Sequence, residues 1–179
     1  QTTIMNKKLL SVLAATATLL PTVLPAQAQN VDAGHLALGR EIASLGVNFK
    51  INPNDCFTRE NKVFGWYWSA KNELVVCQEN ATRPNTEVRW TAEDFDTLRH
   101  EAQHLIQDCM DGKQNGQLAS VYQDPIRLGK EVLGNRGIQS IAEGYAEQGE
   151  HVVVLEIEAF SVAALNRPFD QVNDIKHYC

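Results

Sequence analysis

The sequence predicts an α+β fold: a small antiparallel hairpin packed on a helix that carries His100-Glu101-Ala102-Gln103-His104, with a second, strongly apolar helix laid across it. Three observations predict it. Val63 to Ser69 and Glu73 to Gln78 are dense in aromatic and β-branched residues and are joined by the short polar stretch Ala70-Lys71-Asn72, the pattern of a hairpin. From Thr91 to Cys109, apolar residues recur at three- and four-residue steps. His151 to Leu165 is apolar on nearly every side, yet holds two glutamates.

The chain's first 28 residues are set apart. From Met5 it runs Asn6-Lys7-Lys8, then an apolar stretch Leu9 to Leu24, then Ala26-Gln27-Ala28. A basic start, a short apolar body and an A-x-A site predict a secretory signal over residues 5–28, cleaved before Gln29; the alternative is an uncleaved N-terminal anchor. Gln1 to Ile4 are read as an extension upstream of Met5. The signal resembles bacterial ones, so the expected address is the periplasm or the medium, with residues 29–179 as a single domain.

Those 28 residues contain two lysines and no acid, so the remainder holds 14 basic against 22 acidic residues, a net charge near −8. That balance argues against nucleic acid or an anionic membrane as a partner. All four cysteines lie in the exported part, where they imply two disulfides. Of the three pairings, Cys56 with Cys77 and Cys109 with Cys179 is preferred. The competing role, zinc ligation, is disfavoured because Cys109 falls on the apolar stripe and no C-x-x-C pair exists.

In chain order, Val31 to Leu45 reads as an amphipathic helix capped near Asn30 or Asp32, with Gly46 behind it. Val47, Phe49 and Ile51 alternate with polar residues as a short strand ending at Asn52-Pro53-Asn54-Asp55. The hairpin follows, and Arg83-Pro84-Asn85 breaks the pattern before the motif helix. That helix has Thr91 as N-cap with Asp94 three residues on, a Trp90/Phe95 staple, and Gly112 as a stop. Met110 to Asp124 is an exposed loop, Pro125 to Leu133 a short helix closed by Gly134, and the chain is helical again from Ile138, with a break at Gly149, until Asn166-Arg167-Pro168.

Phe95, Leu98, Ala102, Leu105, Ile106 and Cys109 form the core-facing stripe of the motif helix, and His100 and His104 lie on its other side. Two imidazoles at i and i+4 project in parallel, close enough to hold one metal ion, while Glu101 points beside it. This is the H-E-x-x-H arrangement that binds zinc and supplies a general base, and the capped helix is the context it needs. The bland reading is a solvated helix face that spells the motif by chance.

A catalytic zinc takes three protein ligands and leaves a position open. A third histidine at H-E-x-x-H-x-x-G-x-x-H spacing is excluded, because that position is Met110 and the glycine position is Gln107. A glutamate from the apolar helix remains, either Glu156 or Glu158, and periodicity does not choose between them; a carboxylate there is costly unless paired or bound to metal.

Leu98-Arg-His-Glu-Ala-Gln-His-Leu together with Glu156-Ile-Glu158-Ala-Phe-Ser-Val-Ala resembles the two signature helices of gluzincin metallopeptidases, whose second helix carries a ligand glutamate followed by alanine. The resemblance covers about a third of the chain. It implies a zincin-like fold, one zinc ion held by His100, His104 and Glu158, Glu101 as general base, and a peptide or protein substrate paired along an edge strand. Phe160 and Ser161 stand where many relatives place an acid that orients a histidine. The competing role for Glu158 is a structural carboxylate bonded to a buried donor such as Arg99, with Glu156 then exposed. Tyr122, Tyr145 and His151 are candidate oxyanion donors, and Trp66, Trp68 and Trp90 candidate subsite aromatics, although packing explains all six as well. Two rivals share the field: an exported, disulfide-stapled binding module with a structural metal or none, and a zinc amidase acting on cell-wall peptides.

Overall fold

A computed structural model describes residues 31–179. The proposed signal segment lies outside the described residues, apart from which the chain is mostly helical with one small sheet. Helix α1 (Ala33–Ser44) is capped by Asp32, whose side chain accepts from the backbone of Gly34 and His35. Strand β1 (Asn48–Ile51) and a one-turn α2 (Asp55–Thr58) precede β2 (Gly65–Trp68) and β3 (Glu73–Val76). Then come the motif helix α3 (Ala92–Met110), α4 (Pro125–Val132), α5 (Gly134–Tyr145), α6 (Glu150–Leu165) and α7 (Pro168–Tyr178).

The hairpin forms as expected: β2 pairs antiparallel with β3, with Tyr67 opposite Leu74. A single 3₁₀ turn, Ser69–Lys71, closes it through Asn72, which adopts φ +47° at the position where asparagine tolerates left-handed backbone best. The first strand adds something alternation could not show: β1 lies parallel to β3 on its far side, giving the order β1-β3-β2. Parallel pairing needs a crossover, here residues 52–72 containing α2 and β2. The free edge of the sheet on the β2 side faces α3.

One sheet face supplies Tyr67, Leu74 and Val76 to the main core, where they meet Leu38 and Ile42 of α1, Leu98, Ala102, Leu105 and Ile106 of α3, and Val172 and Ile175 of α7. The other face, Trp66 and Val75 with Val63, forms a small second core under the loop that Cys56 ties to Cys77. The second disulfide joins Cys109 to Cys179, fastening the end of α7 to the end of α3. Both pairings are the expected ones, and two disulfides fit an oxidising, exported setting. No described helix is long and apolar enough to cross a membrane. The sequence pattern did not place the one-turn α2, nor helix α7. Pro168 at its first turn, Asp170 near the start, and Val172 and Ile175 three apart are its signals.

Helix α3 starts as predicted, with reciprocal Thr91 and Asp94 capping bonds and Trp90 stacked against Phe95. Its far side is not solvated: Asp94, Thr97, His100, Glu101, Gln103, His104, Gln107 and Asp108 are all buried. Asp108 ties the sheet to this helix by accepting from Tyr67 Oη at 2.7 Å and Ser69 Oγ at 2.5 Å. Gly65 lets β2 approach: a Cβ there would sit 2.3 Å from Thr97 Cγ2 and 2.7 Å from the Val75 carbonyl oxygen.

Gly65→Ala is therefore expected to cost about 2 kcal/mol or more in a urea titration, since rigid backbone stands on one side of the new methyl group. Opening the Cys109–Cys179 loop, which spans 70 residues, should cost about 4 kcal/mol against about 3 kcal/mol for Cys56–Cys77, which spans 21. Paired Cys→Ala variants compared by denaturant midpoint check that order.

Candidate metal centre

Helices α3 and α6 pack along their length and enclose the site between them. His100 and His104, one turn apart on α3, bring their Nε2 atoms to 3.0 Å from each other. From α6, Glu156 places Oε2 3.2 Å from His100 Nε2 and Oε1 3.4 Å from His104 Nε2. Among the described residues these three side chains are the group of histidine, cysteine or acidic residues able to hold a metal ion. They are 0–1% exposed.

Expectation and structure part at the third position. Glu158 does not face the histidines. Its carboxylate accepts from Gln103 Nε2 at 3.0 Å, Gln107 Nε2 at 2.9 Å, the Val121 backbone at 3.0 Å and the Tyr122 backbone at 3.1 Å. Glu156, expected on the surface if it were not a ligand, is fully buried. Arg99 is not a partner of Glu158 either; it is spent on Asp96, His35 and the Ala163 carbonyl. The physical reason is angular. Residues two apart on a helix point about 200° apart, so the two glutamates flank the line of Leu155, Ala159 and Val162, and only one reaches the imidazole side of α3.

The spacing is short enough for one ion to be held by all three side chains. Ligands at 2.0–2.1 Å from a shared centre lie about 3.3 Å from one another; here the two Nε2 atoms are 3.0 Å apart and each meets a different Glu156 oxygen, at 3.2 and 3.4 Å, so the three side chains are within reach of one ion. Close as they are, neither Glu156 oxygen has a properly directed hydrogen bond, and His100 Nδ1 and Glu101 Oε1 are also buried without partners. These groups converge on a common point more than they satisfy each other, and buried polar atoms left so are costly.

Electrostatics supports the same picture. Burial opposes ionisation of Glu156, but His104 and the contacts from both imidazoles outweigh it and hold its carboxyl down to about 2. Burial likewise opposes a charge on His104, yet Glu156 and then Glu101 raise it to about 9. His100 is pushed below its ordinary value by burial, only partly offset by Glu156. Burial raises Glu101 to about 8, and His104 and a bond from the Tyr67 backbone N–H offset part of that rise. Without a metal, the pair that holds the site together is Glu156 carboxylate with His104 imidazolium. Glu101, Glu156 and Glu158 form no ion pair with lysine or arginine among the described residues, so a divalent cation fits the charge of this interior.

Of the three oxyanion candidates, Tyr145 is at the site: it is buried, and burial, followed by Glu156 and Glu101, raises its pKa, so its hydroxyl stays a donor. Tyr122 contributes its backbone N–H to Glu158, and His151 is exposed and lies against the Leu118 carbonyl. Trp66 and Trp90 are packed in the two sheet-side cores, and Trp68 lies under Lys71. Phe160 packs on the His100 ring, centroids 4.3 Å apart, where an orienting acid was sought.

The fold and the site define a disulfide-linked α+β domain with a buried two-histidine, one-glutamate group suited to a metal ion. Residues 30–179 match the family model described as a domain of unknown function (DUF8637), and the chain belongs to that family. No curated protein and no solved structure matches it.

The buried ion pair makes the metal-free protein sensitive to pH. Because His104 is raised from 6.5 to about 9, its stabilising contribution is complete below 6.5 and disappears as pH climbs through 9. Glu101 acts in the same direction, because it must lose a proton it holds in the fold up to about 8. The chelator-treated protein should therefore melt at a lower temperature at pH 9.5 than at pH 6, while zinc affinity, which needs His104 Nε2 unprotonated, rises over that range. Thermal melts with EDTA and chelator competition measure the two trends; a flat metal-free melting profile would contradict the ion pair.

Proposed function

We propose that this domain is a zinc-dependent hydrolase of amide bonds, most simply peptide bonds, with His100, His104 and Glu156 as ligands and Glu101 as general base. The observation that carries the reading is the mutual spacing of the three ligand side chains next to a buried glutamate with an unpartnered oxygen. A structural metal site has no need of Glu101, whose burial without a cation is then a pure liability. The resemblance of the Leu98–Leu105 stretch to the gluzincin helix supports the same chemistry, with the ligand role moved from Glu158 to Glu156.

When bound there, zinc supplies a Lewis acid that acidifies a water molecule and polarises a carbonyl. The residues of the chain do the rest. Glu101 is anchored by the Tyr67 N–H, which points off the free edge of β2, and its other oxygen is left to take a proton and pass it to the leaving amine. Tyr145, buried beside Glu156, would be the donor to the developing oxyanion. Phe160 and the α5–α6 cluster of Ile141, Val152 and Ile157 keep bulk water out.

A second reading rests on one observation: the ligands are 0–1% exposed, as in a metal site that only holds a fold together. Hydrolysis requires the helix bearing Tyr145 to move. Gly134 and Gly149, at φ +70° and +96°, bound the segment that would do so.

The purified protein is expected to hold one zinc by elemental analysis and to cleave members of a mixed peptide library read by mass spectrometry. Glu101→Gln should keep the zinc and lose turnover by about 10²-fold or more. Unchanged turnover in that variant rules Glu101 out as base, and zinc-loaded wild type that cleaves nothing in the library, cell-wall peptides included, makes the metal structural.

A further inference from the structure

We propose that Glu158 and Gln107 are positioning residues of the metal centre: the Glu158 carboxylate, acting through the Gln107 amide, fixes the tautomer and ring orientation of His104 and ties residues 121–122 to the same point. The inference rests on the reading of His100, His104 and Glu156 as metal ligands.

The amide of Gln107 has only one self-consistent orientation. Its nitrogen end meets two acceptors, the Leu155 carbonyl at 3.1 Å and Glu158 Oε1 at 2.9 Å, so that end must be the NH₂ group. Its oxygen therefore faces His104 Nδ1 at 2.8 Å and must accept a hydrogen from it. With the proton fixed on Nδ1, the Nε2 lone pair is directed at His100 and Glu156. A histidine ligand is held in this way by whatever accepts from its second nitrogen, and losing that acceptor usually lowers metal affinity 10–100-fold. Here the acceptor is an amide whose own direction is set by a buried carboxylate two residues beyond the ligand glutamate.

Glu158 does more than anchor a loop. A fully buried carboxylate satisfied by four donors and no cation brings a negative charge one amide away from a metal ligand, which makes that imidazole a better donor. His100 has no counterpart: its Nδ1 is unpartnered and its ring rests on Phe160. The two ligands are thus held differently, His104 by hydrogen bonds and His100 by packing. The centre takes its orientation from the His104 side.

The test compares wild type with Gln107→Leu, Glu158→Gln and Glu156→Gln. Zinc affinity is read by chelator competition, the visible absorption of the cobalt(II)-substituted protein reports ligand geometry, and circular dichroism reports folding. Gln107→Leu keeps the other three donors on Glu158 and so keeps the loop, yet should weaken zinc binding 10–100-fold and shift the cobalt spectrum; Glu158→Gln should do the same to the centre, while Glu156→Gln should lose stoichiometric zinc. A loss of fold in Glu158→Gln leaves Gln107→Leu to decide. Wild-type zinc affinity and cobalt spectrum in a folded Gln107→Leu overturn the positioning role and leave the metal reading standing. A wild type that takes up neither metal overturns both.

Discussion

Everything in this domain answers to one constraint: from His100 to Asp108 α3 is buried on all sides while half its surface is polar. His100, Glu101, Gln103, His104, Gln107 and Asp108 all lie in the interior. Each of their donors and acceptors needs a partner there, because water does not supply one. Asp108 is met by the hydroxyls of Tyr67 and Ser69, which joins the sheet to the helix. The two glutamines are met by Glu158, and the two histidines by Glu156. The glutamates in the otherwise apolar α6 follow from this demand. His100 Nδ1, Glu101 Oε1 and both Glu156 oxygens are among the buried atoms left unpaired, and these four lie on the side chains of the candidate metal centre and its neighbouring glutamate.

The site is therefore built in layers that share elements with the fold. Gly65 brings β2 close enough for the Tyr67 N–H to hold Glu101, and the same strand sends Tyr67 Oη to Asp108 at the other end of the helix. The Cys109–Cys179 bridge closes α7 against α3 just beyond Asp108. On the opposite side, α4 and α5 pack on α6 through a separate apolar cluster. The larger core carries the two histidines on α3, and the smaller cluster lies on the α6 side of them. Side-chain groups held on packed helices keep their geometry better than those on loops.

Much of this was legible in residues close together in the chain. The capping box at Thr91 and Asp94, the Trp90 staple, the hairpin, the break at Gly149 and the pair His100 and His104 are local patterns whose meaning does not depend on distant partners. Helix α7 was as legible and was passed over, although Pro168, Val172 and Ile175 announce it. The parallel register of β1 on β3 was not, because alternation in a strand says which residues share a face and nothing about the direction of its neighbour.

By itself, then, the sequence determined a capped helix with two imidazoles and a glutamate on one turn, and an apolar helix with two glutamates that had to be satisfied. It could not say which glutamate met the histidines. Glu156 and Glu158 have the same chemistry and nearly the same burial, and stand on either flank of the α3-facing line of α6. The side on which α6 crosses α3 brings Glu156 to the two histidines and Glu158 to Gln107. Crossing is fixed by the packing of whole helix surfaces, α6 against α3 on one side and Ile157 against Gly129 of α4 on another. It is a property of two helices together, and no window along one of them contains it.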